Sequence, residues 1–128
     1  MSVPKSDLYV ITVAKKLVDY IFEVEEKSPK KFRGSLIAKM DSTCLDLIEL
    51  LYQSNALNLH DANRIQKQKE CLVKLRIISF LSEIGQKHGC YTFHQYETIS
   101  KQLHDCNAYL LNWMKSDEKR RGDKEGVE

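Results

Sequence analysis

The stretch HGCYTFH, from His88 to His94, places two imidazoles and a thiol within seven residues. These are zinc-ligating groups, but zinc sites usually take four ligands at C-x-x-C or H-x-x-x-H type spacing. Gly89 and Thr92 have a simpler explanation, as the stop of one helix and the start of the next. His88, Cys90 and His94 therefore read as an interhelical loop, and neither metal nor cofactor is expected. Glu23, Glu25 and Glu26 form a carboxylate cluster that reads as a solvated helix face. No H-E-x-x-H, G-x-S-x-G or phosphate-loop motif occurs. None of Arg33, Arg64, Arg76, Arg120 or Arg121 is followed four to six residues later by His, as in helical nucleases of that type. No Glu precedes a His by three residues, as a di-iron bundle requires. No catalytic residue is expected, and the chain reads as a non-enzyme.

The basic side chains offer the other candidate chemistry, because Lys and Arg neutralise phosphates and release counterions. Lys27, Lys30, Lys31 and Arg33 crowd one turn. Arg64, Lys67 and Lys74 recur at helical spacing, flanked by Lys69 and Arg76. Lys115, Lys119, Arg120 and Arg121 cluster near the chain end. A net charge of +2 permits nucleic acid without demanding it. The alternative is that these are ordinary solubilising charges.

Such residues need elements to position them, and the period of the apolar residues predicts four helices. Val10, Ala14, Leu17, Ile21 and Val24 mark the first, from about Ser6, a plausible N-cap, to Lys27. Ser28-Pro29 reads as the start of the second, which carries Leu36, Ile37, Met40, Cys44, Leu47, Ile48 and Leu51 to about Asn55. The third runs from about Asn58, with Asp61 as capping partner, to His88, and Gly89 stops it. The fourth opens with a capping box of Thr92 and Gln95, and Tyr91 is expected to staple onto Tyr96. Its seam is Tyr96, Ile99, Leu103, Cys106, Leu110 and Trp113. The expected fold is an all-α, antiparallel up-down-up-down four-helix bundle over 1–116, followed by a charged flexible tail, 117–128. The four cysteines form no C-x-x-C pair and read as reduced, buried thiols of a cytoplasmic protein. No signal peptide or membrane span is legible.

The helix segment LVKLRIISFLSEIG, Leu72 to Gly85, is apolar nearly all round. Leu72, Leu75 and Ser79 are expected to line the core. Val73, Ile77, Phe80 and Ile84 form a second stripe, and one bundle has only one interior. The second stripe predicts self-association, since an uncovered apolar face of that length invites aggregation, the alternative being that this helix sits deeper than its neighbours in a lopsided monomer.

The segments SPKKFRGSLIAKM, LRIISFL and YLLNWMKS resemble the four-helix-bundle family of diversity-generating retroelement accessory variability determinant (Avd) proteins and ribosomal RNA intervening-sequence proteins. The resemblance spans about Leu8 to Ser116, and the Avd branch is the more similar. It implies a ring-like homopentamer with a basic surface. It also implies binding to nucleic acid, DNA or RNA, and to a reverse transcriptase, in support of mutagenic retrohoming without a catalytic site of its own. Arg76 matches the Leu-Arg position of the family, and Lys30, Lys31 and Arg33 match its basic opening of the second helix. The sequence departs from the pattern in Phe80, where a basic residue is expected, and in Leu111, where a small residue often precedes the Trp. The alternative is a structural interaction bundle of the intervening-sequence type, without nucleic-acid affinity.

Overall fold

Apolar residues at steps of three and four give each helix a stripe to bury, and four long helices do so here. They are α1 (Tyr9–Val24), α2 (Ala38–Ala56), α3 (Ala62–Lys87) and α4 (Phe93–Val127). The computed structural model describes residues 8–127, with side chains through residue 122. No strand occurs among the described residues, and no helix among them is long and apolar enough to cross a membrane. The Ser6 cap expected for α1 lies outside them.

The core gathers Ile11, Leu17 and Ile21 of α1, Met40, Leu47 and Leu51 of α2, Ile78 of α3, and Ile99 and Leu110 of α4, all fully buried. On α3 the buried residues are Arg64, Gln68, Cys71, Leu75, Ile78, Leu81, Ser82 and Gly85. They step by four and three except where Leu81 and Ser82 adjoin. Of the residues expected to line the core, Leu75 does so, Leu72 is half-buried and Ser79 is exposed. The reason is that two polar residues, Arg64 and Gln68, set the phase of the buried stripe.

Local signals place most of the ends. α3 starts at Ala62 rather than near Asn58, and Asp61 is itself the N-cap, accepting the Asn63 N–H at 2.8 Å. Gly89 adopts φ 82°, the left-handed conformation that ends α3, and the Cys90 N–H reaches back to the Gly85 carbonyl at 2.7 Å. The Thr92 N–H donates to Gln95 Oε1 at 2.9 Å, and the Gln95 N–H donates to Thr92 Oγ1 at 3.0 Å. This is the reciprocal pairing of a capping box.

Three connections differ from expectation. The second helix does not start cleanly at Pro29. The chain makes a 3₁₀ turn at Lys30–Phe32 and a π-helical turn at Arg33–Ile37 before α2 begins. Gly34 weakens regular helix here. Phe32 packs against His88, with ring centroids 5.5 Å apart, while Ile37 reaches the core. Tyr91 does not staple to Tyr96 but turns inward, and Phe93 pairs with Tyr96 instead. The Tyr91 ring lies over Gly85, where any Cβ would come within 2.5 Å of two ring carbons. Finally, α4 continues past Lys115 to Val127, and Asp117 is fully buried. The division between bundle and tail at 116 and 117 is therefore corrected. Asp117, Arg120 and Arg121 belong to the packed structure because Arg64 requires a buried countercharge.

That countercharge holds three helix ends together. Arg64 donates to both carboxylate oxygens of Asp117, from Nε at 2.7 Å and from Nη2 at 3.1 Å. Its Nη1 donates to the Leu57 carbonyl at 2.9 Å and the Ser54 carbonyl at 3.4 Å, after the last turn of α2 and within it. Gln68 Nε2 and Arg120 Nη2 complete the shell of Asp117 at 2.9 and 3.0 Å. Trp113 is half-buried rather than fully buried, and its ring lies under the Arg64 guanidinium, 5.1 Å from centroid to Cζ. Asp117→Ala should cost about 3–5 kcal/mol, because it strands a buried guanidinium. The double variant Arg64→Met with Asp117→Leu should cost less than Asp117→Ala alone. Urea unfolding of the three proteins checks both expectations.

Candidate nucleic-acid interface

Six exposed basic residues fall into two groups near opposite ends of α4, and Arg76, midway along α3, belongs to neither. Lys30 and Lys31 lie in the 3₁₀ turn and Arg33 opens the π-helical turn, all exposed. Their end of the molecule includes the start of α4, because Ser28 Oγ donates to the Cys90 carbonyl at 3.3 Å. Lys115, Lys119 and Arg120 are exposed at the other end, beside the start of α3. From Phe93 to Asp117 α4 climbs about 36 Å at 1.5 Å per residue. The two groups therefore do not form one patch.

Four expected phosphate contacts are already engaged. Arg64 is buried and spends its donors on Asp117 and two carbonyls, so it is corrected from binding residue to structural residue. Lys67 is half-buried and donates to Gln53 Oε1 at 3.0 Å. Lys74 pairs with Asp46 across to α2 at 3.6 Å. Arg121 is half-buried and donates to the Leu59 carbonyl at 3.2 Å. Arg76 stands exposed on α3, and Arg120 keeps more than half of its side chain in solvent while touching Asp117.

The expected second stripe of α3 points outward only in part. Val73 is 54% exposed and Phe80 57%, while Ile77 and Ile84 between and beyond them are half-buried. Ile77 packs against the core, so only Val73 and Phe80 of the four are turned fully outward.

A titratable cluster lies where the sequence suggested a solvated carboxylate face. Glu25 is buried, in the 3₁₀ turn that ends the first helix. Tyr91 Oη donates to Glu25 Oε2 at 2.8 Å. Burial and the neighbouring Asp41 raise the Glu25 carboxyl to about 8, against the lowering pull of the Tyr91 hydroxyl. Glu25 and Asp41 line a cleft of about 530 Å³ with Phe22, Glu26, Arg33 and Ile37. Burial also raises the thiols of Cys71 and Cys106, each to about 12, so neither is a nucleophile at neutral pH. Cys90 is buried, His88 packs on Phe32 and His94 is exposed.

Sequence reasoning missed Asp117 as the partner of Arg64 and Gln68 as a second donor to Asp117, and it missed Glu25 as a buried acid. The first had a signal, since Arg64 and Gln68 stand in phase with Cys71, Leu75 and Ile78. The second had none, because Tyr91 reaches Glu25 across 66 residues. No protein-family model and no curated protein matches the chain.

Glu25 makes stability depend on pH with a definite sign. Its folded value, about 8, lies above the ordinary 4.5, so the folded state holds the proton more tightly. The stabilisation is complete below about 4.5 and is lost as pH rises through about 8. Asp117 acts in the opposite sense. Burial alone would raise its carboxyl, but the hydrogen bonds from Arg64, Gln68 and Arg120 together hold it below the usual value. Its contribution is present at neutral pH and is lost in acid. Unfolding free energy measured by urea from pH 5 to 9 should fall with pH in the wild type. Glu25→Gln should flatten that slope, and an unchanged slope would assign it to another group.

Proposed function

We propose that the chain is a non-catalytic accessory protein of the Avd type. In this proposal its helices run alternately up and down, and it assembles into a ring-like homo-oligomer, a pentamer by resemblance. It acts in the cytoplasm, binding nucleic acid and a reverse transcriptase to support mutagenic retrohoming. The observation that carries the assembly is the outward stripe of α3, where Val73 and Phe80 leave more than half of their surface in water. Burying that stripe against another copy gains about 25 cal/mol per Å² of apolar surface removed from water. The alternation of helix direction is supported by end contacts. Arg64 at the start of α3 meets Leu57 after α2 and Asp117 late in α4, whereas Tyr91 just before α4 meets Glu25 after α1.

Nucleic-acid binding rests on Lys30, Lys31, Arg33, Arg76, Lys115, Lys119 and Arg120, which remain exposed. One subunit divides them between separate places, so affinity depends on repetition around an assembly. The engagement of Arg64, Lys67, Lys74 and Arg121 by groups of their own chain favours the second reading, an interaction bundle of the intervening-sequence type without nucleic-acid affinity.

Light scattering should report several times the 14.9 kDa of one chain, and Phe80→Asp should reduce it to one. A monomeric wild type would sink the assembly. Filter binding to mixed-sequence DNA and RNA should show log K falling by about 0.7–0.9 per decade of salt for each phosphate neutralised. With about five contacts, affinity should drop by a few hundredfold between about 50 and 200 mM salt. Combined Lys30→Glu, Lys31→Glu, Lys115→Glu and Lys119→Glu should weaken all sequences alike. Absence of binding at low salt would leave the interaction-bundle reading in place.

A further inference from the structure

Between α3 and α4 the bundle surface opens into a furrow of about 480 Å³. Its apolar walls are Ile65 on α3 and Ala108, Leu111 and Met114 on α4. It stays open for two local reasons. Ala108 is short, and Gln68 turns its amide to Asp117 instead of filling the space. Leu111 is left 41% exposed in it. Lys69 and Lys115 also line the furrow, one from each helix, both exposed. Neither enters an ion pair among the described residues. Glu118 and Arg121 complete the charged lining, which leaves it net positive.

We propose that this furrow receives the apolar edge of an acidic amphipathic helix from a partner protein. From Ala108 to Lys115 it runs about 10 Å, two helical turns, which suits anchors spaced i, i+3 or i+4, and i+7. Its walls are aliphatic and thioether, and Met114 can adapt to branched or straight side chains. Acidic residues beside those anchors meet Lys69 and Lys115. A single nucleic-acid strand suits it less, since none of the lining residues is aromatic and bases bind by stacking on aromatic faces. The inference goes beyond the proposed function and does not depend on nucleic-acid binding.

A display library of amphipathic helical peptides, with flanking positions randomised among Glu, Gln and Lys, tests it against the full chain. Acid-flanked peptides should be enriched. Fluorescence anisotropy should show their affinity falling at least tenfold with Leu111→Asp, and likewise with Ala108→Arg, which fills the furrow without removing a contact. Lys69→Glu combined with Lys115→Glu should invert the preference toward Lys-flanked peptides. Circular dichroism of each variant should match the wild type, as expected for exposed positions. The following results would overturn the proposal. They are no enrichment, enrichment indifferent to flanking charge, binding unaffected by both furrow variants, and a change of oligomer mass with Leu111→Asp, which would make a second copy the occupant. Displacement of the selected peptides from the furrow by single-stranded RNA with higher affinity would also overturn it, in favour of nucleic acid.

Discussion

The Arg64–Asp117 pair is the constraint around which the helices are arranged. A guanidinium with 6% of its residue surface exposed has no solvent to satisfy it, so its donors must find acceptors within the fold. It finds Asp117 on α4 and the carbonyls of Ser54 and Leu57 at the end of α2. One side chain thereby fixes the relative position of three helices. It also sets the phase of α3, because Arg64 and Gln68 can face Asp117 only if Cys71, Leu75 and Ile78 face the core. The outward direction of Val73 and Phe80 follows from that phase. A bidentate ion pair is directional in a way that apolar contacts are not, which makes it suited to choosing one packing among several of similar apolar burial.

At the far end of α4 a second buried polar cluster does comparable work with different chemistry. Glu25 takes the Tyr91 hydroxyl, Ser28 takes the Cys90 carbonyl, and Tyr91 lies on Gly85. These contacts tie the end of α1 to the turn between α3 and α4. The Arg64 cluster is held by a charged carboxylate, whereas Glu25 favours its proton. The two ends consequently respond to pH in opposite directions, one weakened by acid and the other by base. Both contributions are complete together only between the ordinary values of the two carboxyls, 3.8 and 4.5.

Function is carried by what this internal economy leaves outside. The charges that pack the bundle are unavailable to a phosphate, and the lysines and arginines that remain are dispersed. Apolar side chains are exposed on all four helices, among them Tyr9, Leu45 and Phe93. They include Val73 and Phe80 in the stripe of α3 and Leu111 in the furrow between α3 and α4. The exposure of Val73 and Phe80 follows from the phase of α3, whereas the furrow stays open because Ala108 is short and Gln68 turns to Asp117.

Much of the fold was legible in the residues because its signals are local. The capping box of Thr92 and Gln95 and the left-handed Gly89 each act within a few residues, so spacing alone reveals them. The seam Ile99, Leu103, Cys106 and Leu110 was legible for the same reason, since helical period is a local property. The second stripe of α3 was legible only in part: Val73 and Phe80 are exposed, whereas Ile77 and Ile84 are half-buried. What the sequence could not contain was the choice of long-range partners. Arg64 looked like a phosphate ligand until Asp117, 53 residues away, was seen against it, and Glu25 looked solvated until Tyr91 covered it. The end of α4 was misplaced because a charged segment reads as solvated unless its countercharge is known. Local propensity determined where helices form; the tertiary structure decided which charges are spent inside, because burial and ion pairing depend on distances in space that spacing along the chain does not encode.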